Sequence, residues 1–257
     1  MNDHYAAVSS DQCYQTPRAK SSASQSPTHV TELQVFCMLD KLRPTATGLD
    51  LLPAWFLRLG APVFCAPLAQ LFNQSINSGV VTRQWKKATI PKNQLSTQPD
   101  EYRPISITSV LSRALERRIV RAYIYPAILQ PPAHLHFADQ FVFRPTGSTV
   151  AALITLIHTV TAMLSDGPYV RVLSLDFSKA FDTVRHATLM EKLSTLAVPD
   201  EVYNWIKDFL EGHSHCTKFG LDVSPFADIM DSVIQGSSLG PAAYAVTASS
   251  PRRQRHR

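Results

Sequence analysis

Leu173-Ser174-Leu175-Asp176-Phe177-Ser178-Lys179-Ala180-Phe181-Asp182-Thr183-Val184-Arg185-His186 is the stretch on which the reading of the chain turns. Its apolar start predicts a strand over 169–175, entered through the turn Asp166-Gly167-Pro168. Asp176 stands where that strand ends, and Asp182 follows six residues on, where the chain turns toward a helix. An Asp behind a strand usually caps the next helix. The stretch alone leaves that reading level with a functional one, and the flanking sequence has to decide.

The 257 residues suffice for one large domain or two small ones, and 45% hydrophobic with 18% charged residues is an ordinary globular composition. Cys13, Cys37, Cys65 and Cys216 show no CxxC pairing, so free thiols in a reducing compartment and no disulfides are expected. The N-terminus lacks the apolar core of a signal peptide, and no uninterrupted apolar run reaches the ~18 residues of a membrane span. A soluble intracellular protein, nuclear or cytoplasmic, without a membrane partner is the expectation. Of the net charge of +5, four positive charges belong to arginines in the last seven residues, so the remainder carries only +1. The basic balance is a property of the tail and says little about the globular part.

Upstream of the opening stretch, residues 1–28 are Ser-, Gln- and Thr-rich and predict disorder. Helices are predicted over 31–39, over 51–59 closed by Gly60, and from Pro62 to a stop at Gly79, with Phe64, Leu68, Leu71, Phe72 and Ile76 on one face. A short strand and a turn follow over 85–92, and a strand over 101–108. The helix from Ser109 buries Leu111, Leu115 and Ile119 and turns Arg113, Arg117 and Arg121 outward. Pro126 and Pro131-Pro132 are read as breaks and 140–144 as extended; Ser148 or Thr149 then caps a long apolar helix through Met163-Leu164.

Downstream, a helix through 189–193 precedes one started by Pro199, with Val202, Trp205, Ile206, Phe209 and Leu210 inward. Segments 216–220 and 226–233 predict hairpin strands, and Ile234-Gln235-Gly236-Ser237-Ser238-Leu239-Gly240-Pro241 a tight turn into a final helix. The order of elements is that of an α+β fold.

Three segments now stand in a fixed order: Tyr102-Arg103-Pro104-Ile105-Ser106, Asp176-Phe177-Ser178-Lys179-Ala180-Phe181-Asp182, and Gln235-Gly236-Ser237-Ser238-Leu239-Gly240-Pro241. Together they resemble the fingers and palm of reverse transcriptases of non-long-terminal-repeat (LINE-type) retrotransposons. Gly48-Leu49-Asp50, Leu71-Phe72-Asn73, Trp85-Lys86, Leu115-Glu116-Arg117 and Phe143-Arg144 also look like that family, and the resemblance runs over about 40–248. It implies part of a right-hand polymerase. The divisions are a disordered segment 1–28, a mostly helical fingers-like region 29–165, a partial palm 166–248 with an incomplete antiparallel sheet, and an arginine-rich tail 249–257.

The activity implied is RNA-directed DNA polymerase, a two-Mg²⁺ nucleotidyl transfer, with an RNA template, a DNA primer and deoxynucleotide triphosphates as partners. By match, Asp176 and the backbone carbonyl of Phe177 bind the metals, because Mg²⁺ takes hard oxygen ligands. A strand end suits a metal-binding Asp, since the sheet fixes it and the loop leaves it open. Phe181 matches the steric gate that favours deoxynucleotides, the other reading being a core Phe; Asp182 takes a structural hydrogen-bonding role. Arg103 matches a triphosphate-gripping fingers residue, which its planar fork suits. Lys92, ahead of Lys87, supplies a second cation or else an ordinary surface charge. Gln235 and Gly236 match the turn lining the nucleotide site, and Arg144 a template contact. His213-Ser214-His215-Cys216 lacks the second ligand pair a zinc site needs.

The family carries an Asp-Asp hairpin after the Gln-Gly turn. Here sixteen residues follow Pro241 and none is Asp or Glu. The expectation is a truncated chain, inactive alone because one carboxylate cannot hold two Mg²⁺ beside a triphosphate. The alternatives are a non-catalytic nucleic-acid-binding remnant and an unstable relic.

Overall fold

Thr31 opens the first helix as its side chain dictates. The computed structural model describes residues 7, 14–21, 28–92, 105–176, 180–182, 184–229 and 232–251. In α1 (Glu32–Asp40) the Thr31 hydroxyl accepts the Gln34 amide at 3.2 Å and the Gln34 side chain accepts the Thr31 amide at 3.2 Å, a complete capping box. Two helices follow, α2 (Ala54–Leu59) and α3 (Ala61–Ser78), the latter ended by Gly79 at φ +64°. The inward stripe of α3 is shifted from the expected one. Phe72 and Ile76 are fully buried, Phe64 and Leu68 half-buried, and Leu71 is exposed, because α3 packs against three helices and turns Ala69 and Ser75 inward as well.

Strand β1 (Lys87–Pro91) lies where a short strand is expected. Of the strand expected over 101–108, residues 101–104 lie outside the described ones, and Ile107 makes a single bridge to Thr89. The next helix, α4 (Val110–Ile119), does not break at Pro126. It widens into one π turn (Val120–Ile124) and continues as α5 (Tyr125–Leu129), with Pro126 in the first turn. Pro126 cannot donate to the turn before it, and the wide π turn there makes room for its ring without breaking the helix.

Then come β2 (Leu135–His136), α6 (Thr149–Asp166), α7 (His186–Thr195), α8 (Asp200–Leu210), β3 (His213–Phe219), β4 (Asp222–Val223), β5 (Ala227–Ile229), α9 (Gly240–Thr247) and β6 (Ser250–Pro251). Ser148 caps α6 by accepting the Ala151 amide at 3.1 Å. The expected extended run 140–144 is a series of bends, with Phe143 at φ +57°.

The sheet corrects the expectation of an antiparallel one built around Asp176. It is mixed: β1 runs parallel to β3, while β4 and β5 run antiparallel to β3. The predicted hairpin strands are present as β3 and β5, and β3 alone of the two pairs with β1. Segment 169–175 forms no strand, and Leu173 is 83% exposed. An extended backbone needs a neighbouring strand to take its N–H and C=O groups, and none lies beside it among the described residues. Helix α6, just before it, has no buried residue. It is the one helix among the described residues long and apolar enough to cross a membrane, by length and composition only. Thr, Ser and His158 punctuate it, so it forms no uninterrupted apolar run.

The core lies among the remaining helices. Trp205 of α8 is fully buried, stacks on Phe209 at 5.3 Å and donates its indole N–H to Ser75 Oγ of α3 at 2.9 Å. The Val81 amide donates to Asp208 at 2.7 Å and Lys86 pairs with the same carboxylate at 2.7 Å, which moors the approach to β1 on α8. Arg18 and Lys20 lie against the same helix, where the Lys20 amide donates to Asn204 Oδ1 at 2.9 Å and the Arg18 carbonyl accepts the Tyr203 hydroxyl at 3.3 Å.

Candidate functional site

The turn ahead of α9 is held from two sides. On one side Ser106 donates its amide to the Gln235 carbonyl at 2.7 Å. Gly236 sits there at φ +105°, and a Cβ on it would meet the Ser106 carbonyl oxygen at 2.4 Å, so only glycine lets these backbones approach. On the other side is Glu116, a fully buried residue of α4. Its Oε2 accepts the Ser237 hydroxyl at 2.5 Å and the amides of Ser238 and Leu239 at 2.8 and 3.3 Å, while Oε1 accepts the Ser112 hydroxyl at 2.9 Å. Amides at the start of a helix have no partner within it, and a carboxylate there also suits the helix dipole.

So fixed, the turn reaches the opening stretch. Gln235 Nε2 donates to Asp182 Oδ1 at 2.7 Å. The backbone follows the same seam: the Val233 amide donates to the Phe181 carbonyl at 3.0 Å and the Ser232 amide to the Val184 carbonyl at 3.1 Å. Phe181 is half-buried in a cluster of three rings, 5.0 Å from Tyr244 of α9 and 5.6 Å from Phe143. Phe143 holds its place from a left-handed backbone, a conformation that costs a non-glycine residue about 1–3 kcal/mol and persists only where surrounding contacts enforce it.

The other predicted residues are not gathered at this seam. Asp176 is exposed at the end of the unpaired segment. Phe177 and Arg103 lie outside the described residues, as do Lys179 and the arginines of the tail. Lys92 is half-buried with its ammonium 5.8 Å from the Phe219 ring of β3, and Lys87 Nζ is 4.9 Å from the Phe226 ring. Arg144 donates to the Phe137 carbonyl at 2.7 Å, bracing its own loop. Among the described residues no group of three or more His, Cys, Asp or Glu could hold a metal. His213, His215 and Cys216 are buried in β3. Burial, with Lys86 adding to it, pushes the His213 pKa down to about 3.

Sequence reasoning did not assign Glu116 or Tyr244. Glu116 left a trace, a charged residue four positions after Ser112 on the helix face that carries Leu115 and Ile119. Tyr244 left none, since the contact joins rings from three separate segments.

Comparison with known proteins bears on this arrangement. The family model described as reverse transcriptase (RNA-dependent DNA polymerase) matches residues 90–255, more than half of the chain. The RNA-directed DNA polymerase from mobile element jockey of Drosophila melanogaster is 30% identical over 208 residues, 79% of this chain and 22% of that protein. The probable RNA-directed DNA polymerase from transposon BS of the same fly is 31% identical over 191 residues, covering 72% and 20%. The Pol polyprotein from type-1 retrotransposable element R2 of Popillia japonica is 29% identical over 145 residues, covering 55% and 19%. The chain thus spans about a fifth of the length of these relatives.

Proposed function

The chain belongs to the reverse transcriptase (RNA-dependent DNA polymerase) family, among relatives from non-long-terminal-repeat retrotransposons, and from that premise we propose that it is the nucleotide- and template-handling part of an RNA-directed DNA polymerase that by itself binds substrates without joining them. The observation that carries this reading is the Gln235–Asp182 hydrogen bond. It draws together two segments 53 residues apart that the resemblance assigns to one nucleotide site, with Phe181 beside them.

In this reading Gln235 and the close-packed Gly236 backbone line the bed of the nucleotide. Phe181, braced by Phe143 and Tyr244, presents a ring edge to the sugar and disfavours a 2′-hydroxyl. Arg103 and Lys92 neutralise the triphosphate, and Arg144 contacts the template through its loop. The family's chemistry depends on divalent metal. The donor set here does not fit a two-ion centre: Asp176 is a single carboxylate, and no Asp or Glu stands among residues 242–257. No transfer step is therefore assigned to this chain alone. Equilibrium dialysis with labelled dGTP and GTP tests the reading. It expects saturable dGTP binding that prefers the deoxy sugar and weakens in Phe181→Ala and Gln235→Ala. Equal, unsaturable uptake of both nucleotides contradicts it.

One observation favours a second reading, an unstable relic. The apolar faces of α6 and of segment 169–176 are uncovered, from Ile157 at 63% exposed to Leu175 at 73%. Apolar area of this kind marks a surface that folding left unburied. A broad, non-cooperative thermal melt supports the relic; a sharp one favours the substrate-binding reading.

A further inference from the structure

Arg113, Arg117 and Arg121 recur every fourth residue along α4 and the π turn that extends it. That spacing stacks them as one stripe, and like charges so placed destabilise a helix, so propensity does not explain them. Lys41 and Arg43, just past α1, face the same space. The five cations line a cavity of about 650 Å³ whose lining includes no acidic side chain. Its size is that of a ligand site, not of a packing gap.

The nearest carboxylates are committed elsewhere. Asp50 accepts the Ser109 hydroxyl at 2.6 Å, and Glu116 is buried against the turn ahead of α9. None of the five cations is in an ion pair among the described residues. Arg113 is anchored by one N–H to the Ala46 carbonyl at 2.6 Å, which orients the rest of its donor fork in advance. Glu116 and Arg117 are adjacent on the helix, about 100° apart around it, so the basic stripe and the turn-holding carboxylate occupy different faces.

We propose that this groove binds the phosphodiester backbone of a nucleic-acid strand, at a site separate from the nucleotide-lining turn. Three arginines spread over two helical turns span ~12 Å, room for about three or four phosphates of one strand. A lone phosphate or carboxylate fills one end of such a row and leaves the other cations unneutralised. RNA and DNA share the recognised group, and 2′-hydroxyl contacts separate them. The groove deepens the polymerase reading and rests on it for the expectation that a strand passes nearby.

The test is fluorescence anisotropy with labelled single-stranded RNA and DNA of one sequence, titrated between about 50 and 200 mM salt. Every protein carries Gln at Arg252, Arg253, Arg255 and Arg257, so the tail contributes nothing. Arg117→Gln/Arg121→Gln, at two exposed positions, is expected to weaken binding about tenfold and to lower the salt slope by about 2, one for each lost phosphate contact. Arg117→Lys/Arg121→Lys keeps the charge and should retain most of the affinity. Arg58→Gln/Arg83→Gln removes the same charge outside the groove and should bind like the parent. Equal loss on RNA and DNA assigns the contact to phosphates, and loss on RNA alone to phosphates with 2′-hydroxyls; both support the groove. A parent that binds neither strand, an Arg117/Arg121 variant that binds normally, or an equal loss in the Arg58/Arg83 variant overturns it. Dialysis of dGTP with the same proteins reads the polymerase proposal separately, since the groove variants leave the nucleotide turn intact.

Discussion

Glu116 and Ser237 stand 121 residues apart in sequence, yet the Ser237 hydroxyl donates to the Glu116 carboxylate at 2.5 Å. That contact ties the long helix of the N-terminal part to the turn from which Gln235 reaches Asp182. Glu116→Ala leaves the Ser237 and Ser112 hydroxyls and the Ser238 amide without their Glu116 acceptor, while the Leu239 amide keeps Ser237 Oγ at 3.0 Å. Unmet buried donors cost about 1–3 kcal/mol each, so a loss of about 3 kcal/mol or more in urea denaturation is expected. Glu116→Gln keeps one acceptor oxygen and should lose less. A Glu116→Ala protein as stable as the parent rules out this anchor.

Gly236 makes a sharper prediction about the same turn. Alanine there puts a methyl 2.4 Å from the Ser106 carbonyl oxygen, a backbone atom that cannot swing aside, at φ +105°. Gly236→Ala should destabilise the chain and weaken dGTP binding together. Alanine at Gly220, also left-handed at φ +60° but with open space around it, should cost only the backbone strain, about 1 kcal/mol. Similar effects at the two positions would mean that the close approach is unimportant.

Acid should weaken the protein through His213. Burial, first, and Lys86, second, hold its pKa at about 3, against about 6.5 for a free histidine. Between those values the unfolded chain takes up a proton that the folded chain refuses. The contribution is whole above about pH 6.5 and is lost by about 1.4 kcal/mol for each unit that pH falls toward 3. Urea midpoints measured across this range should decline with that slope. His213→Phe keeps a ring against Phe209, 4.7 Å from the His213 ring in the parent, and should flatten the decline. An unchanged slope in the variant assigns the acid sensitivity to other groups.

Helix α6 should tolerate what a core helix does not. Ile154→Gln with Ile157→Gln should shift the melting free energy by less than about 1 kcal/mol, because both side chains are already exposed. The same pair should reduce self-association in sedimentation velocity. A large destabilisation shows instead that α6 is covered in solution.

These cases mark which parts of the fold and site sequence could reveal. Helix ends were legible where their chemistry is local: Gly79 and Ser148 each act within one turn. The α8 face of Val202, Trp205, Ile206, Phe209 and Leu210 was legible from its period. Segment 169–175 was misread because a strand is defined by a partner, and apolar content does not supply one. The parallel pairing of β1 with β3, 127 positions apart where Ala88 meets His215, left no mark in either segment. Gln235, Gly236, Phe181 and Asp182 were found through ordered motifs and do converge. Glu116 stood only within a family-like segment and received no role, since that role depends on a turn more than a hundred residues away.

The most direct measurement is templated primer extension. The full 257-residue chain is incubated with an RNA template, a DNA primer, the four deoxynucleotide triphosphates and Mg²⁺, and the products are resolved at single-nucleotide length. The account predicts that primer and dGTP bind and that no primer lengthens. Template-directed extension that disappears in Asp176→Ala would contradict it, because a single carboxylate would then suffice for a reaction assigned here to a metal site this chain does not complete.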